Sequence, residues 1–210
     1  MTPEEELAIL MDPQRLLAVY AAGIFPMAPE KDSTEIHWYA PALRGIIPLD
    51  GFHVSKNVQR WMRNHDWEVR VNTAFGEVMA NCADREETWI SPVIVDAYTQ
   101  LHTIGHAHSV EIWEQGQLSG GLYGVSLGSA FFGESMFHRA PDRDKVALWC
   151  CHQLLLQGGF TLWDTQYYTP HLGTMGAVEI PQGQYLELLD AALRKEAQMP
   201  NEGKSIVKKM

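Results

Sequence analysis

The sequence predicts an α+β fold on three observations. Hydrophobic residues recur with a period of two in three runs between residues 108 and 137, separated by turn signals. Stripes of helical spacing lie on either side of that region. A short apolar segment at 160–164 follows a helical stretch that stops at Gly158-Gly159. The runs give an antiparallel meander and the last segment closes a strand, helix, strand unit, so a mostly antiparallel sheet flanked by helices is expected.

The totals fit this. The 210 residues are 46% hydrophobic, enough for a sizeable core. A net charge of −10 excludes a surface that is basic throughout, so a nucleic-acid partner must meet a local patch. Cys82, Cys150 and Cys151 show neither metal spacing nor an even disulfide set, and are expected as reduced core residues of a cytosolic protein. Residues 1–10 hold Glu4, Glu5 and Glu6 with no basic or long apolar stretch, which is not a secretory signal. The uncharged run 115–133 contains six glycines, which suits buried strands rather than a membrane span.

Each element follows from its residues. Asp12-Pro13 opens a helix over about 13–22, with Leu16, Leu17 and Tyr20 on one face and Gly23 at its end. The proline-broken, aromatic segments 25–29 and 36–41 suggest a coil-rich lobe, so residues 1–45 are expected as a small N-terminal lobe, 46–198 as the main domain and 199–210 as a loose tail. Ser55 caps a helix whose Lys56, Arg60 and Arg63 fall at i, i+4 and i+7, with Val58, Trp61 and Met62 opposite. The alternation at 67–71 is a strand. Phe75, Val78, Met79 and Cys82 mark one helix; Ile94, Ala97, Tyr98 and Leu101, behind Ser91-Pro92, mark another. The meander follows, with glycines at 120, 121, 124, 128 and 133 marking bulges or close approaches. Val146, Trp149, Cys150 and Leu154 face inward on the helix at 142–157, and Tyr185, Leu188, Leu189 and Ala192 form a last helical stripe.

Two clusters stand out chemically. Glu134 sits among aromatics at the end of the third meander strand, and Asp164 and Gln166 alternate past an apolar strand. Glu134 could be exposed or paired with a cation such as Arg139, or it could stand at the mouth of an apolar pocket facing a cationic group. Trp89, Leu122, Phe131 and Trp163 read as core residues or as that pocket's lining. His102, His106 and His108 with Glu111 raise a zinc or iron hydrolase, although no further group completes the spacing and hydrogen-bonding histidines fit better. The segment Gly133-Glu134-Ser135-Met136-Phe137 fails the serine-hydrolase elbow, and no glycine-rich phosphate cradle is present.

The chain resembles the leucyl/phenylalanyl-tRNA protein transferases. Eight ordered blocks carry the resemblance, among them Gly23-Ile24-Phe25-Pro26, Thr88-Trp89-Ile90, the stretch Gly105 to Glu111, Gly120 to Val125, Phe131 to Phe137 and Asp164-Thr165-Gln166. The resemblance implies an N-acetyltransferase-like (GNAT-like) domain beside the small lobe. It also implies transfer of leucine, phenylalanine or methionine from aminoacyl-tRNA to the N-terminal Arg or Lys of acceptor proteins, marking them for N-end rule degradation. That reaction needs no cofactor or metal, and a cytoplasmic monomer is expected. By matched position, Glu134, Asp164 and Gln166 are the catalytic residues. Trp89, Leu122 and Phe131 match the substrate pocket, to which Gly133 and Trp163, the latter where the family usually has a smaller aliphatic, are added, and Lys56, Arg60 and Arg63 match the helix that contacts tRNA. In this reading Asp164 fixes the Gln166 amide, whose carbonyl oxygen orients and helps deprotonate the attacking amine, and Glu134 attracts the acceptor's cationic end without being the base. The chain starts some twenty residues late, with Met27 at a usual tryptophan and Asp144 at a usual serine. A catalytically silent tRNA-binding module is the alternative.

Overall fold

The computed structural model describes residues 11–200; the expectation for residues 1–10 and that for all but the first two residues of the tail lie outside them. Helix α1 (Pro13–Ala21) starts at Asp12, whose side chain accepts hydrogen bonds from the Gln14 and Arg15 amides. The segment expected as coil instead forms a two-stranded antiparallel sheet, β1 (Phe25–Met27) with β2 (His37–Tyr39). Pro26 obscured it in the sequence, because proline removes a ladder donor; a strand at a sheet edge tolerates that loss.

The main sheet has seven strands in the order β4 (Glu68–Val71), β5 (Ala107–Glu114), β6 (Gln117–Leu127), β7 (Ala130–His138), β8 (Leu162–Gln166), β3 (Leu43–Ile46) and β9 (Val178–Pro181). All pairings are antiparallel except β7 with β8. Sequence gave no sign of β3, four residues interrupted by Arg44 and Gly45, and the expected division at residue 45 falls inside it.

Helices cover both faces. Helices α1, α3 (Phe75–Ala83), α4 (Pro92–Thr103) and α7 (Gln182–Leu193) bury Leu16, Tyr20, Val78, Ile94, Tyr98 and Tyr185 against one face. Helices α2 (Lys56–Asn64) and α5 (Arg143–Gly158) bury Val58, Met62, Val146, Cys150 and Leu154 against the other. The three cysteines are free and buried. Strand alternation divides the sheet residues accordingly: Tyr123 and Phe132 join the first core, Leu122 and Phe131 the second. Two assignments are corrected. Leu188 lies outside the α7 stripe and is 41% exposed, and Met199, expected to begin the tail, is buried in the second core.

The parallel pair places the site. β7 and β8 are in register only from Ala130↔Leu162 to Phe132↔Asp164, whereas β7 stays on β6 as far as His138. Beyond Asp164 the two strands part and the sheet opens into a V. Gly124 adjoins the bulge between β6 and β7, where a Cβ would lie 2.5 Å from the Phe131 ring and 2.4 Å from the Phe132 carbonyl. Only glycine lets the strands close there.

Candidate active site

A cavity of about 280 Å³ fills the V. Its walls come from both cores: Trp89 from the loop before α4, Leu122 from β6, Met136 from β7, Leu148 from α5, Trp163 from β8 and Leu172 from the short helix α6 (Pro170–Gly173). Glu134, Gln166, Thr165 and Arg85 bring polar groups to it. The result is a mostly apolar chamber with converging polar atoms, the usual form of a small-ligand site.

Asp164 is fully buried beneath this chamber. Arg44 holds it with Nε 2.9 Å from Oδ1 and Nη2 2.6 Å from Oδ2, while its Nη1 donates to the Gly23 carbonyl at 3.0 Å. The Tyr185 hydroxyl donates to Oδ2 at 2.7 Å, and the backbone N–H of Gln166 donates to Oδ1 at 2.8 Å. The guanidinium lies 4.6 Å from the Phe25 ring centroid and 4.4 Å from that of Tyr185. Every strong donor around Asp164 is satisfied, and the Asp164 carboxylate keeps the Arg44 guanidinium above its ordinary pKa despite burial.

Glu134 is wired differently. Tyr20 from α1 donates to its Oε1 at 2.8 Å, Tyr98 from α4 donates to its Oε2 at 3.2 Å, and the Gln166 side-chain amide donates to Oε1 at 3.2 Å. The two tyrosine hydroxyls are also in short contact with each other; each carries one proton, so the three contacts share two protons when Glu134 is ionised and three when it is protonated. Burial pushes the Glu134 carboxyl up to about 8; the charge of Asp164 adds to this, while the Tyr20 and Tyr98 hydrogen bonds and Arg44 act against it. Burial and Glu134 together hold both hydroxyls well above the ordinary tyrosine value.

The expected wiring is therefore corrected: Asp164 fixes the Gln166 backbone, and Glu134 holds the side-chain amide. Gln166 ends β8 with φ +59, so the chain turns sharply there. Trp89, Leu122, Gly133 and Trp163 line the chamber, but Phe131 does not. It packs behind the wall against Phe160: it shares the Gly133 side of β7 but sits where β7 and β8 are still paired, before the strands part. Arg139 bonds to Asn81 and Glu77 rather than to Glu134. Sequence reasoning missed Arg44, Tyr20 and Tyr98. Arg44 gave a faint signal, a lone cation between an apolar residue and a glycine; the tyrosines looked like ordinary helix-stripe residues.

Lys56, Arg60 and Arg63 are exposed on α2, and among the described residues none is ion-paired; Arg60 donates only to Asn57. Val58 and Met62 are buried, and Trp61 carries the Arg143 guanidinium 3.8 Å above its ring. The histidines serve the frame. His102 bonds to the Ala107 carbonyl and stacks on Phe75, and His106 bonds to the Ser126 carbonyl. His108 lies between Asn72 and Ser126, its pKa lowered by burial to about 4. Glu111 accepts from the Thr73 and Ala74 amides ahead of α3, and from Ser109 and Trp113.

Comparison with known proteins gives the family. The model of the leucyl/phenylalanyl-tRNA protein transferase family matches residues 46–190, and that of the family's N-terminal domain matches residues 11–42. A leucyl/phenylalanyl-tRNA–protein transferase of Cereibacter sphaeroides is 52% identical over 93% of this chain and 91% of its own length. One from Dinoroseobacter shibae is 51% identical over 90% of this chain and 85% of its own. Among solved structures, FemX has the same fold with a TM-score of 0.50 at 12% identity, covering 78% of this chain and 65% of FemX. The architecture is the α+β one expected, a mostly antiparallel sheet flanked by helices. Among the described residues no helix is long and apolar enough to cross a membrane.

Proposed function

Since the chain belongs to the leucyl/phenylalanyl-tRNA protein transferase family, we propose that the chamber takes the side chain of leucine or phenylalanine esterified to tRNA, and that the protein transfers this residue to the N-terminal Arg or Lys of an acceptor protein. The observation that carries this reading is the carboxyl of Glu134, with a pKa near 8, at the edge of an apolar chamber of side-chain size. Leu122, Met136, Leu148 and Trp163 surround the transferred side chain. Phe131 supports that wall from behind.

In the reaction the acceptor's α-amine attacks the ester carbonyl, a C–N bond forms, and the C–O bond to the terminal ribose breaks. An α-ammonium has a pKa of about 7.7 to 8.0, so proton transfer to a carboxylate of pKa about 8 is nearly balanced. Ionised Glu134 attracts the acceptor's cationic end and also serves as the base, a part not expected of it from sequence. It takes one proton from the α-ammonium and passes it to the departing ribose oxygen, while the nitrogen's second proton goes to water as the amide forms, so one proton is released overall. The amide nitrogen of Gln166 is engaged by Glu134, so its oxygen is the atom left to accept a hydrogen bond from the attacking amine. Positioning does most of the work; holding two reactants in contact is worth about 7 to 11 kcal/mol. The Arg44–Asp164 pair keeps Gln166 in place without touching substrate. Lys56, Arg60 and Arg63 meet the phosphates of the tRNA, which supplies affinity for an anionic partner from a locally basic face of an acidic protein. The protein works in the cytoplasm, where its acceptors enter N-end rule degradation, and the small lobe ends before β3, since that strand belongs to the transferase sheet.

The test is incubation with leucyl-, phenylalanyl- or methionyl-tRNA and peptides that differ only in their first residue. Transfer to Arg- and Lys-initiated peptides, reduced at least a hundredfold in Gln166→Ala, is expected. Binding of tRNA with no transfer to any peptide would leave a silent tRNA-binding module instead.

A further inference from the structure

We propose that Tyr167 is the stacking platform for the terminal nucleobase of the aminoacyl-tRNA; this rests on the transfer function proposed above. Any ester bound with its side chain in the chamber has its ribose at the opening, so the base must lie within a few ångströms of the mouth. Tyr167 borders the chamber and is 43% exposed. Bases splayed from single strands are held chiefly by stacking on aromatic side chains.

The backbone is built to present this ring. Gln166 adopts φ +59, a conformation that non-glycine residues rarely take, and this turns the chain out of β8 just before Tyr167. The turn runs close over β3. A Cβ on Gly45 would lie 2.7 Å from both the carbonyl carbon of Tyr167 and the amide nitrogen of Tyr168. The ring is then fixed edge-to-face by Phe25 at 5.6 Å and by Tyr39 at 6.5 Å, both carried by the small sheet. A side chain placed by a strained residue, a close glycine and two aromatic neighbours, yet left nearly half exposed, is set for a flat guest.

The guest is neutral rather than cationic. A stacked guanidinium from the acceptor's first residue would also suit a tyrosine ring. However, the Arg44 guanidinium already lies 4.6 Å from the Phe25 ring against which Tyr167 packs, and none of the rings touching Tyr167 brings a carboxylate. The local charge favours a nucleobase.

The test is calorimetric binding of 3′-amide-linked phenylalanyl-adenosine and of phenylalaninamide to the wild type, Tyr167→Ala and Tyr167→Phe, with transfer from phenylalanyl-tRNA to an Arg-initiated peptide followed separately. The advantage of the nucleoside analogue over phenylalaninamide should fall about tenfold in Tyr167→Ala and persist in Tyr167→Phe. An unchanged advantage in Tyr167→Ala would overturn the proposal. So would a loss confined to the KM for the Arg-initiated peptide, which would assign the ring to the acceptor. A wild type that binds the analogue in a Tyr167-dependent way but transfers nothing supports the platform and removes the transfer function instead.

Discussion

Replacing Glu134 by Gln should make the folded protein more stable as pH rises, and the size of the effect follows from the site. The carboxyl moves from an ordinary 4.5 to about 8 on folding, so between these values the folded state holds a proton that the unfolded state releases. A raised folded-state pKa contributes stability that is fully present below about 4.5 and is lost as pH rises through about 8. At about 1.4 kcal/mol per pH unit, the loss is at most about 3 kcal/mol at pH 7 and about 5 kcal/mol at pH 8 and above. Glutamine keeps the network. Its oxygen accepts from Tyr20 and the Gln166 amide, and its nitrogen donates to Tyr98, which turns its own proton to Tyr20. Urea unfolding of both proteins by tryptophan fluorescence between pH 5 and 9 measures the difference. The wild type should lose stability across this range relative to Glu134→Gln, which should also lose transfer activity. Parallel stability curves would refute the argument that burial raises the carboxyl.

Two further outcomes follow. Leu122→Trp should fill the chamber and abolish phenylalanine transfer while tRNA affinity changes less than twofold; equal losses in binding and transfer would place the side chain elsewhere. Lys56→Ala with Arg60→Ala should weaken tRNA binding and flatten the plot of log affinity against log salt by a slope of about 1 to 2, read by filter binding between 50 and 200 mM salt.

Much of the fold was legible because its elements are amphipathic. The stripes Leu16-Leu17-Tyr20, Ile94-Ala97-Tyr98-Leu101 and Phe75-Val78-Met79-Cys82 became buried faces, and the glycines of the meander marked the bulge at Gly124. The short strands without a clean period were not legible. β3 interrupts its pattern with Arg44, and β1 contains Pro26, so neither offers a period to read. Glu134, Asp164 and Gln166 were singled out as polar residues at apolar strand ends, and the structure brings all three to one place.

The sequence by itself determined the order of the long helices and of the meander strands, the two odd strand ends and, through eight matched blocks, the family. Only the tertiary structure decided how the site is wired. Arg44 lies 120 residues from Asp164, and Tyr20 lies 114 residues from Glu134. No local pattern can register such pairings, because they arise when β3 enters the sheet beside β8 and α1 packs over β7. The same holds for Phe131 and for the chamber. Which residues along a strand reach the opening depends on where β7 and β8 part, and that is set by the length of their shared ladder rather than by any residue along it.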